Sequence, residues 1–349
     1  MDIHRARFVP HPSPAINSLA FSASYDGELA KGGLRNLRLA VGRDNGDIEI
    51  WNPLKGAWAQ ERTFRAGRDR SIEALLWTQE PSEYKDGIVS ATGQLRLFSI
   101  GHSNAVTEWD LGTGLAIPRE TGGNLSTIWC FAAQPRLHMN EAKKAAAEGK
   151  PQGQDIVVGC EDGSIALLST ADNDLQFVKY IARSQNKSIR ALSIAFRDRN
   201  TIAVGFSNST VRIYDIRNST VLRTVTLGAG KKGGPKNLYV WALKWTPNGD
   251  LVTGDSAGEL RVFDGKLFGQ AQRVLAHGGD IFSIVVNKEG TRLFTAGSDR
   301  KTTMFQKSPK GRQWNRIGHK YYHEHDVKAM AVYDGSKTQK MSFLASGGM

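Results

Sequence analysis

Apolar and polar residues alternate along most of this chain in short runs, parted by polar turns that contain glycine. The clearest case is residues 155–170, DIVVGCEDGSIALLST. An apolar run leads into Gly159, the turn Glu161-Asp162-Gly163 reverses the chain, and Ile165 and Leu167 lie two apart. Period-two alternation places such residues on one face of a strand, so the stretch predicts a β-hairpin with an apolar face. A lone hairpin cannot bury that face and needs neighbours of its own kind.

Variants of the hairpin recur at 39–52, 96–111, 201–216, 250–265 and 292–307, and a seventh begins at SFLASGGM. Aligned on Gly42, Gly101, Gly159, Gly205, Gly254, Gly297 and Gly347, they repeat at intervals of 43 to 59 residues, the period of propeller blades. A further alternating segment precedes each hairpin: INSLAFS, IEALLW, TIWCFAA, IRALSIAF, VWALKW, DIFSIVV and VKAMAVY. These are the expected innermost strands, and less regular runs such as LQFVKYIA suit half-exposed outer strands. Four strands make a blade. The expected fold is therefore all-β, a seven-bladed β-propeller with an incomplete last blade, in units near 16–66, 72–122, 127–184, 189–230, 240–277, 281–319 and 327–349. Residues 3–9 also alternate and are expected to pair with the last blade, closing the ring and removing its sheet edges. The halt at Gly348-Met349, where a third strand should begin, predicts the amino-terminal part of a longer protein.

With these features the chain resembles the WD-repeat (WD40) family, whose blades close on a Trp-Asp pair after the third strand. The corresponding pairs are Trp51-Asn52, Trp109-Asp110, Leu168-Ser169, Tyr214-Asp215, Phe263-Asp264 and Phe305-Gln306. The large apolar residue is retained in every pair, the Asp in three. The family's Gly-His signal before the inner strand survives best at His277-Gly278-Gly279-Asp280 and His325-Asp326.

Three insertions separate inner strands from their hairpins. Those at 26–36 and 81–94 read as polar loops. The third, 138–154, has a helix-favouring core at 141–148 followed by Gly149 and Pro151, which predicts a short surface helix. The two cysteines, Cys130 and Cys160, fall in or beside strands without CxxC spacing, and read as buried thiols of a reducing compartment. The amino terminus has no apolar run behind its basic residues, and nothing approaches the ~18 consecutive apolar residues of a membrane span. A soluble, intracellular protein without membrane partners is the expectation.

Charge changes the picture most. The formal net charge is +12, and the basic residues gather where outer strands should connect to the next inner strand. Residues 61–70 bring Arg62, Arg65, Arg68 and Arg70; residues 228–237 bring Lys231, Lys232 and Lys236; residues 318–326 bring Lys320 beside Tyr321, Tyr322 and His323. If these connections share one face, they form a basic rim able to neutralise phosphates, with salt-dependent binding and little sequence readout.

Sharper chemistry finds no support. The run GAGKKGGPKN lacks P-loop spacing. His319, His323 and His325 with Glu324 and Asp326 read as a turn network before a metal site. Glu161 and Asp162 read as hairpin caps before an acid/base pair. No triad or carboxylate pair can be assembled on the inner strands, so no catalysis, cofactor, metal or small-molecule substrate is expected.

The segments HRARFVPHPSPAINSLAFS, SIEALLW with RLFSIGHSNAVTEWDL, IWCFAA with VVGCEDGSIALL, and VWALKWTPNGDLVTGDSAGELRVFD together resemble the cirhin family, also called U-three-associated protein four. The resemblance runs through essentially the whole chain outside the insertions. It implies a nucleolar, non-catalytic scaffold in ribosome biogenesis, a subunit of UtpA in the small-subunit processome. Its implied partners are other UtpA subunits, processome proteins and the 5′ external transcribed spacer of pre-rRNA, in 18S rRNA maturation. The competing reading is a WD-repeat adaptor that grips a peptide without RNA. It would need an apolar pocket at the axis, which Trp129, Trp241 and Phe282 could line, although large aromatics in such strands more often pack the core.

Overall fold

Every expected innermost segment is a strand, because its aliphatic residues fall at alternate positions and each face meets a neighbouring sheet. The computed structural model describes residues 14–349 apart from 26–27, 30–32, 55–56, 66–70, 86–87, 92, 120, 138, 150–152, 184–187, 229–235, 310 and 336–340. The first sheet runs β1 (Ile16–Phe21), β2 (Leu39–Arg43), β3 (Asp47–Leu54) and β4 (Ala57–Arg65). After β5 (Ala74–Gln79) comes a separate hairpin, β6 (Glu83–Lys85) and β7 (Ile88–Ala91). Then β8 (Leu95–Ile100), β9 (Val106–Trp109) and β10 (Ala116–Arg119) join β5 as the second sheet.

The third sheet holds β11 (Ile128–Ala133), β12 (Ile156–Cys160), β13 (Ile165–Ser169) and β14 (Gln176–Ala182), with helix α1 (Met139–Ala147) between its first two strands. The fourth holds β15 (Ala191–Phe196), β16 (Thr201–Phe206), β17 (Thr210–Asp215) and β18 (Thr220–Thr226). The fifth holds β19 (Val240–Trp245), β20 (Leu251–Asp255), β21 (Glu259–Phe263) and β22 (Gln270–Leu275). The sixth holds β23 (Ile281–Val286), β24 (Arg292–Gly297), β25 (Lys301–Lys307) and β26 (Trp314–Tyr321). A two-stranded sheet, β27 (Val327–Tyr333) and β28 (Phe343–Gly348), comes last. The architecture is an all-β propeller, antiparallel within each sheet. Among the described residues six sheets carry the four strands of a blade, where the repeat count raised the expectation of seven.

No single core exists; each gap between sheets has its own. Ile48, Phe64, Ile72, Trp77 and Trp109 fill the first gap, with the Phe64 and Trp109 rings stacked 5.9 Å apart. Val157, Ile165, Ala191, Val204 and Tyr214 fill the gap between the third and fourth sheets. At about 1.5–3 kcal/mol for each large aliphatic or aromatic side chain removed from water, these interfaces hold the sheets side by side. The ring also closes. Leu39 and Val41 of β2 pack with Ala331 of β27, Trp58 meets Phe343 edge-on at 5.1 Å, and Lys328 Nζ donates to Asn17 Oδ1 at 2.9 Å. The expected closing strand, residues 3–9, lies outside the described residues.

The recurrent glycine has a steric reason. A Cβ on Gly159 would stand 2.9 Å from Ala191 Cβ, one on Gly205 2.7 Å from Val240 Cγ1, and one on Gly254 2.6 Å from Ile281 Cγ2. In each case the next sheet's first inner residue occupies the space. Register corrects the alignment at two places. Leu97 faces Trp109 and Leu293 faces Phe305 as Ile156 faces Leu168. The residues equivalent to Gly159 are therefore Ile100 and Ala296, one before Gly101 and Gly297.

Other boundaries also moved. The insertion at 81–94, expected as a loop, contains the β6–β7 hairpin. The strands β4 and β26 continue to Arg65 and Tyr321, so Arg62, Arg65 and Lys320 are strand residues rather than loop residues. The expected helix in the third insertion is present as α1.

Candidate functional site

The innermost strands carry a repeated device. Register shifts at Ile16/Ser18, Ile128/Cys130, Ala191/Ser193, Val240/Ala242, Ile281/Ser283 and Val327/Ala329 mark a β-bulge near the start of six of them. A bulge leaves one residue out of the ladder and re-aims its side chain. The bulged residues are Asn17, Trp129, Leu192, Trp241, Phe282 and Lys328; Glu73 follows Ile72 in the same place on the unbulged second sheet. Together they ring the upper mouth of the axis, the end where outer-to-inner connections arrive.

The ring has two arcs. Lys328, Asn17 and Glu73 form a polar one: Lys328 donates to Asn17, and Glu73 Oε1 accepts from Ser71 Oγ at 2.6 Å and lies 3.2 Å from His102 Nε2. Trp129, Leu192, Trp241 and Phe282 form an apolar one. Trp241 and Phe282 lie 6.1 Å apart, and Trp129 carries the Arg190 guanidinium 4.9 Å over its ring, itself 3.0 Å from Glu161. Trp129, Trp241 and Phe282 are half-exposed here and do not belong to the buried cores. The expectation that they would be core residues is corrected: the bulge turns them out of the sheet interfaces. A signal was readable in the sequence, since each occupies the position after the leading aliphatic of its inner strand.

Below this ring, Lys244 of β19 projects from a strand whose neighbours offer Ala195 and Val285. Its side chain meets water, yet the surrounding protein desolvates its ammonium and lowers its pKa, against which Glu28 acts. On the lower side, between the first two sheets, a cavity of about 460 Å³ is lined by Arg38, Arg62, Arg136, Glu61 and Trp77 among others. Arg136 donates there to the Ser22 carbonyl at 2.7 Å, and Arg38 pairs with Glu61 at 2.5 Å.

The predicted basic residues that lie among the described ones, Arg62, Arg65, Lys236 and Lys320, do not share one place. Arg62 is turned to the neighbouring sheet, where it donates to the carbonyls of Leu111, at 2.7 Å, and Gly112. Arg65 ends β4 opposite Asp47 and is exposed. Three residues apart on one strand, Arg62 and Arg65 fall on opposite faces. Lys236 is exposed in the connection before the fifth sheet, and Lys320 is exposed on β26 opposite Thr302. Arg65, Lys236 and Lys320 thus stand near the upper ends of three separate sheets. Arg68, Arg70, Lys231 and Lys232 lie outside the described residues.

Other titratable groups have structural partners. Asp162 Oδ1 accepts from the N–H and hydroxyl of Ser164, capping its hairpin as expected. Asp110 and Asp264, each after a third strand, accept from backbone N–H groups two and three residues on. Burial raises the thiol pKa of Cys130, and that of Cys160 to about 11, so both are inert core thiols. His323 bonds Ser346 at 2.8 Å, and burial lowers its pKa. Among the described residues no three His, Cys, Asp or Glu side chains gather to hold a metal ion.

No protein-family model matches the chain. Similarity to curated proteins is nevertheless extensive. The chain is 32% identical over its whole length to U3 small nucleolar RNA-associated protein 4 of Schizosaccharomyces pombe, covering 44% of that protein. It is 31% identical over its whole length to the Saccharomyces cerevisiae protein of the same name, covering 42%. Over 94% of its length it is 26% identical to the Homo sapiens homolog, again covering 42%. The chain thus spans less than half the length of these relatives, and its similarity to them runs along the entire propeller.

Proposed function

We propose that this chain is the propeller part of a non-catalytic scaffold for ribosome biogenesis, related to U3 small nucleolar RNA-associated protein 4. In this reading it is a nucleolar subunit of UtpA in the small-subunit processome. It touches the 5′ external transcribed spacer of pre-rRNA and docks other UtpA and processome proteins during 18S rRNA maturation. The observation that carries the reading is the similarity, 31–32% identity over the full chain, to two relatives whose name states association with U3 small nucleolar RNA. A net charge of +12 supports a polyanion as partner. The use of Glu73 and Glu161 in ties between sheets supports a static role.

In the same proposal the β27–β28 sheet is the inner half of a seventh blade, supported by its packing against both the sixth and the first sheets. The RNA contact is assigned to Arg65, Arg68 and Arg70, to Lys231, Lys232 and Lys236, and to Lys320. Arg62 contributes least, since part of its guanidinium is held by carbonyls of the next sheet.

Ultraviolet crosslinking of the tagged protein in cells, with sequencing of bound RNA, tests the reading. Reads concentrated in the pre-ribosomal leader are the expected result. Charge reversal at Arg65, Arg68, Arg70, Lys231, Lys232 and Lys236 should lower affinity for leader RNA and flatten its salt dependence. Absence of ribosomal precursor reads would overturn the cellular role; unchanged affinity and salt slope in the reversed variant would overturn the basic rim.

A further inference from the structure

The cavity of about 460 Å³ on the lower side lies where the first and second sheets part, and the first insertion reaches it through Glu28, Leu29 and Asn36. Much of its wall is apolar. Ile50 and Phe64 come from the first sheet, Trp77 and Leu95 from the second, and Leu111 from the turn after β9. Three arginines line the same space, and their charges are balanced unequally. Arg38 is paired with Glu61 at 2.5 Å. Arg62 and Arg136 have only neutral acceptors: Arg62 donates to the Leu111 and Gly112 carbonyls, and Arg136 to those of Ser22, at 2.7 Å, and Glu28, at 3.3 Å. Among the described residues neither forms an ion pair. Burial lowers the pKa of Arg136, which Glu28 and Tyr25 oppose through space. Arg38, Arg62 and Arg136 against Glu28 and Glu61 leave one positive charge in excess. A partly desolvated cation without a counter-ion, beside apolar walls, is an arrangement that an anion completes.

We propose that this cavity receives the carboxyl end of a partner protein chain, its terminal carboxylate drawn to Arg62 and Arg136 and its last, apolar side chain laid on the apolar wall. A terminal residue carries both groups on one Cα, so it meets both kinds of lining at once, and one negative charge matches the excess. An internal Asp or Glu would hold its carboxylate on a short stem while its chain ran past in both directions, with peptide groups to satisfy on either side. A phosphate would bring up to two charges against Glu28 and Glu61. A nucleic acid base would find no open ring: Phe64 is buried and stacked on Trp109, and Trp77 is buried with its N–H on the Ala20 carbonyl at 3.0 Å. The volume falls within the roughly 300–1,000 Å³ of ligand pockets. The inference rests on the scaffold reading only in calling for a protein partner, and RNA contact has no part in it.

Calorimetric titration of the whole chain, carried to millimolar peptide, with acetyl-Gly-Ser-Gly-Ser-Leu as the free acid and as the amide tests it. The acid should bind, and the amide about tenfold more weakly or less. The same peptide ending in Ala should bind severalfold more weakly than the Leu acid. Arg62→Gln and Arg136→Gln should each weaken binding of the acid by about fivefold or more. Arg136 also ties the third sheet to the first, so Arg62→Gln, whose bonds are exposed, decides the matter where Arg136→Gln lowers the melting temperature. Failure of the free acid to bind, equal binding of acid and amide, or binding indifferent to Arg62→Gln overturns the proposal. So does N-acetylleucine binding as tightly as the peptide, which would make the ligand a free small acid. Displacement of the peptide by inorganic phosphate at lower concentration than by N-acetylleucine would likewise overturn it, in favour of a phosphate site.

Discussion

The second and sixth sheets fasten their strands with different chemistry. In the second, Arg96 of β8 is buried and grips both oxygens of Glu108 on β9, at 2.7 and 2.9 Å. Glu108 also accepts from Arg119 of β10 at 2.7 Å, and Arg96 reaches Glu80 and the Thr170 carbonyl of the third sheet. In the sixth, His277 precedes the inner strand and is held between Asp299 and Thr295, each at 2.7 Å. One lock is built from full charges across three strands and two sheets; the other is an imidazole tied to a carboxylate and a hydroxyl. The charged lock tolerates no missing member, because what remains is a buried ion. The imidazole lock leaves an ordinary unsatisfied group, but it can be titrated.

The largest expected effect is therefore in the second sheet. Arg96→Ala should cost about 3–5 kcal/mol in denaturant unfolding by leaving Glu108 and Glu80 without it. Replacing Arg96, Glu108 and Arg119 together by apolar residues of similar size should recover much of that loss. Equal losses in the single and triple variants would show that packing, not charge, sets the cost. His277→Ala should cost less, about 1–3 kcal/mol, measured in the same way.

Acid should distinguish the two locks further. Burial lowers the pKa of His277, so its neutral form is favoured in the folded state. Its contribution is complete above the unfolded value near 6.5 and falls as pH drops through the folded value. Asp299 is held at about 2 by the Gly278 N–H, His277 and Lys301 against burial, and its contribution persists down to the ordinary carboxylate range. Glu108 is likewise held below its usual value by Arg96 and Arg119 against burial. Amide exchange should show the sixth sheet loosening between pH 7 and 5 while the second holds, and His277→Gln should abolish that difference. The smallest effect belongs to Arg62. Its bonds to the Leu111 and Gly112 carbonyls are exposed, so Arg62→Ala should change stability by about 1 kcal/mol or less, read from chemical denaturation midpoints.

The period of the hairpins and the inner strands could be read from the chain because both depend on local alternation and on a glycine with a steric duty. The locks could not. Arg96 and Glu108 lie on different strands, and only their side-by-side register brings them together. The same holds for His277, Thr295 and Asp299, although the His-Gly dipeptide pointed to one of them. The outer strand AWAQERTFR is exposed on most of its length, so no apolar alternation marked its end, and Arg62 and Arg65 were read as loop residues. Gly101 and Gly297 misled for another reason. In those sheets Ile100 and Ala296 take the glycine's place, and a neighbouring glycine stood in for it in the alignment.

The inner-strand bulges have a consequence for how such a molecule can change. A bulged residue is outside the ladder, and where it is also only half-buried, as at Trp129, Trp241 and Phe282, its identity is less bound by the packing that holds the propeller together. Trp129, Trp241 and Phe282 are the positions most open to such change, whereas Asn17, Glu73 and Lys328 also tie neighbouring sheets together. The upper mouth reads Asn-Glu-Trp-Leu-Trp-Phe-Lys around the axis, so its surface chemistry can be altered at the half-buried aromatic positions while the ladder beneath them keeps its register.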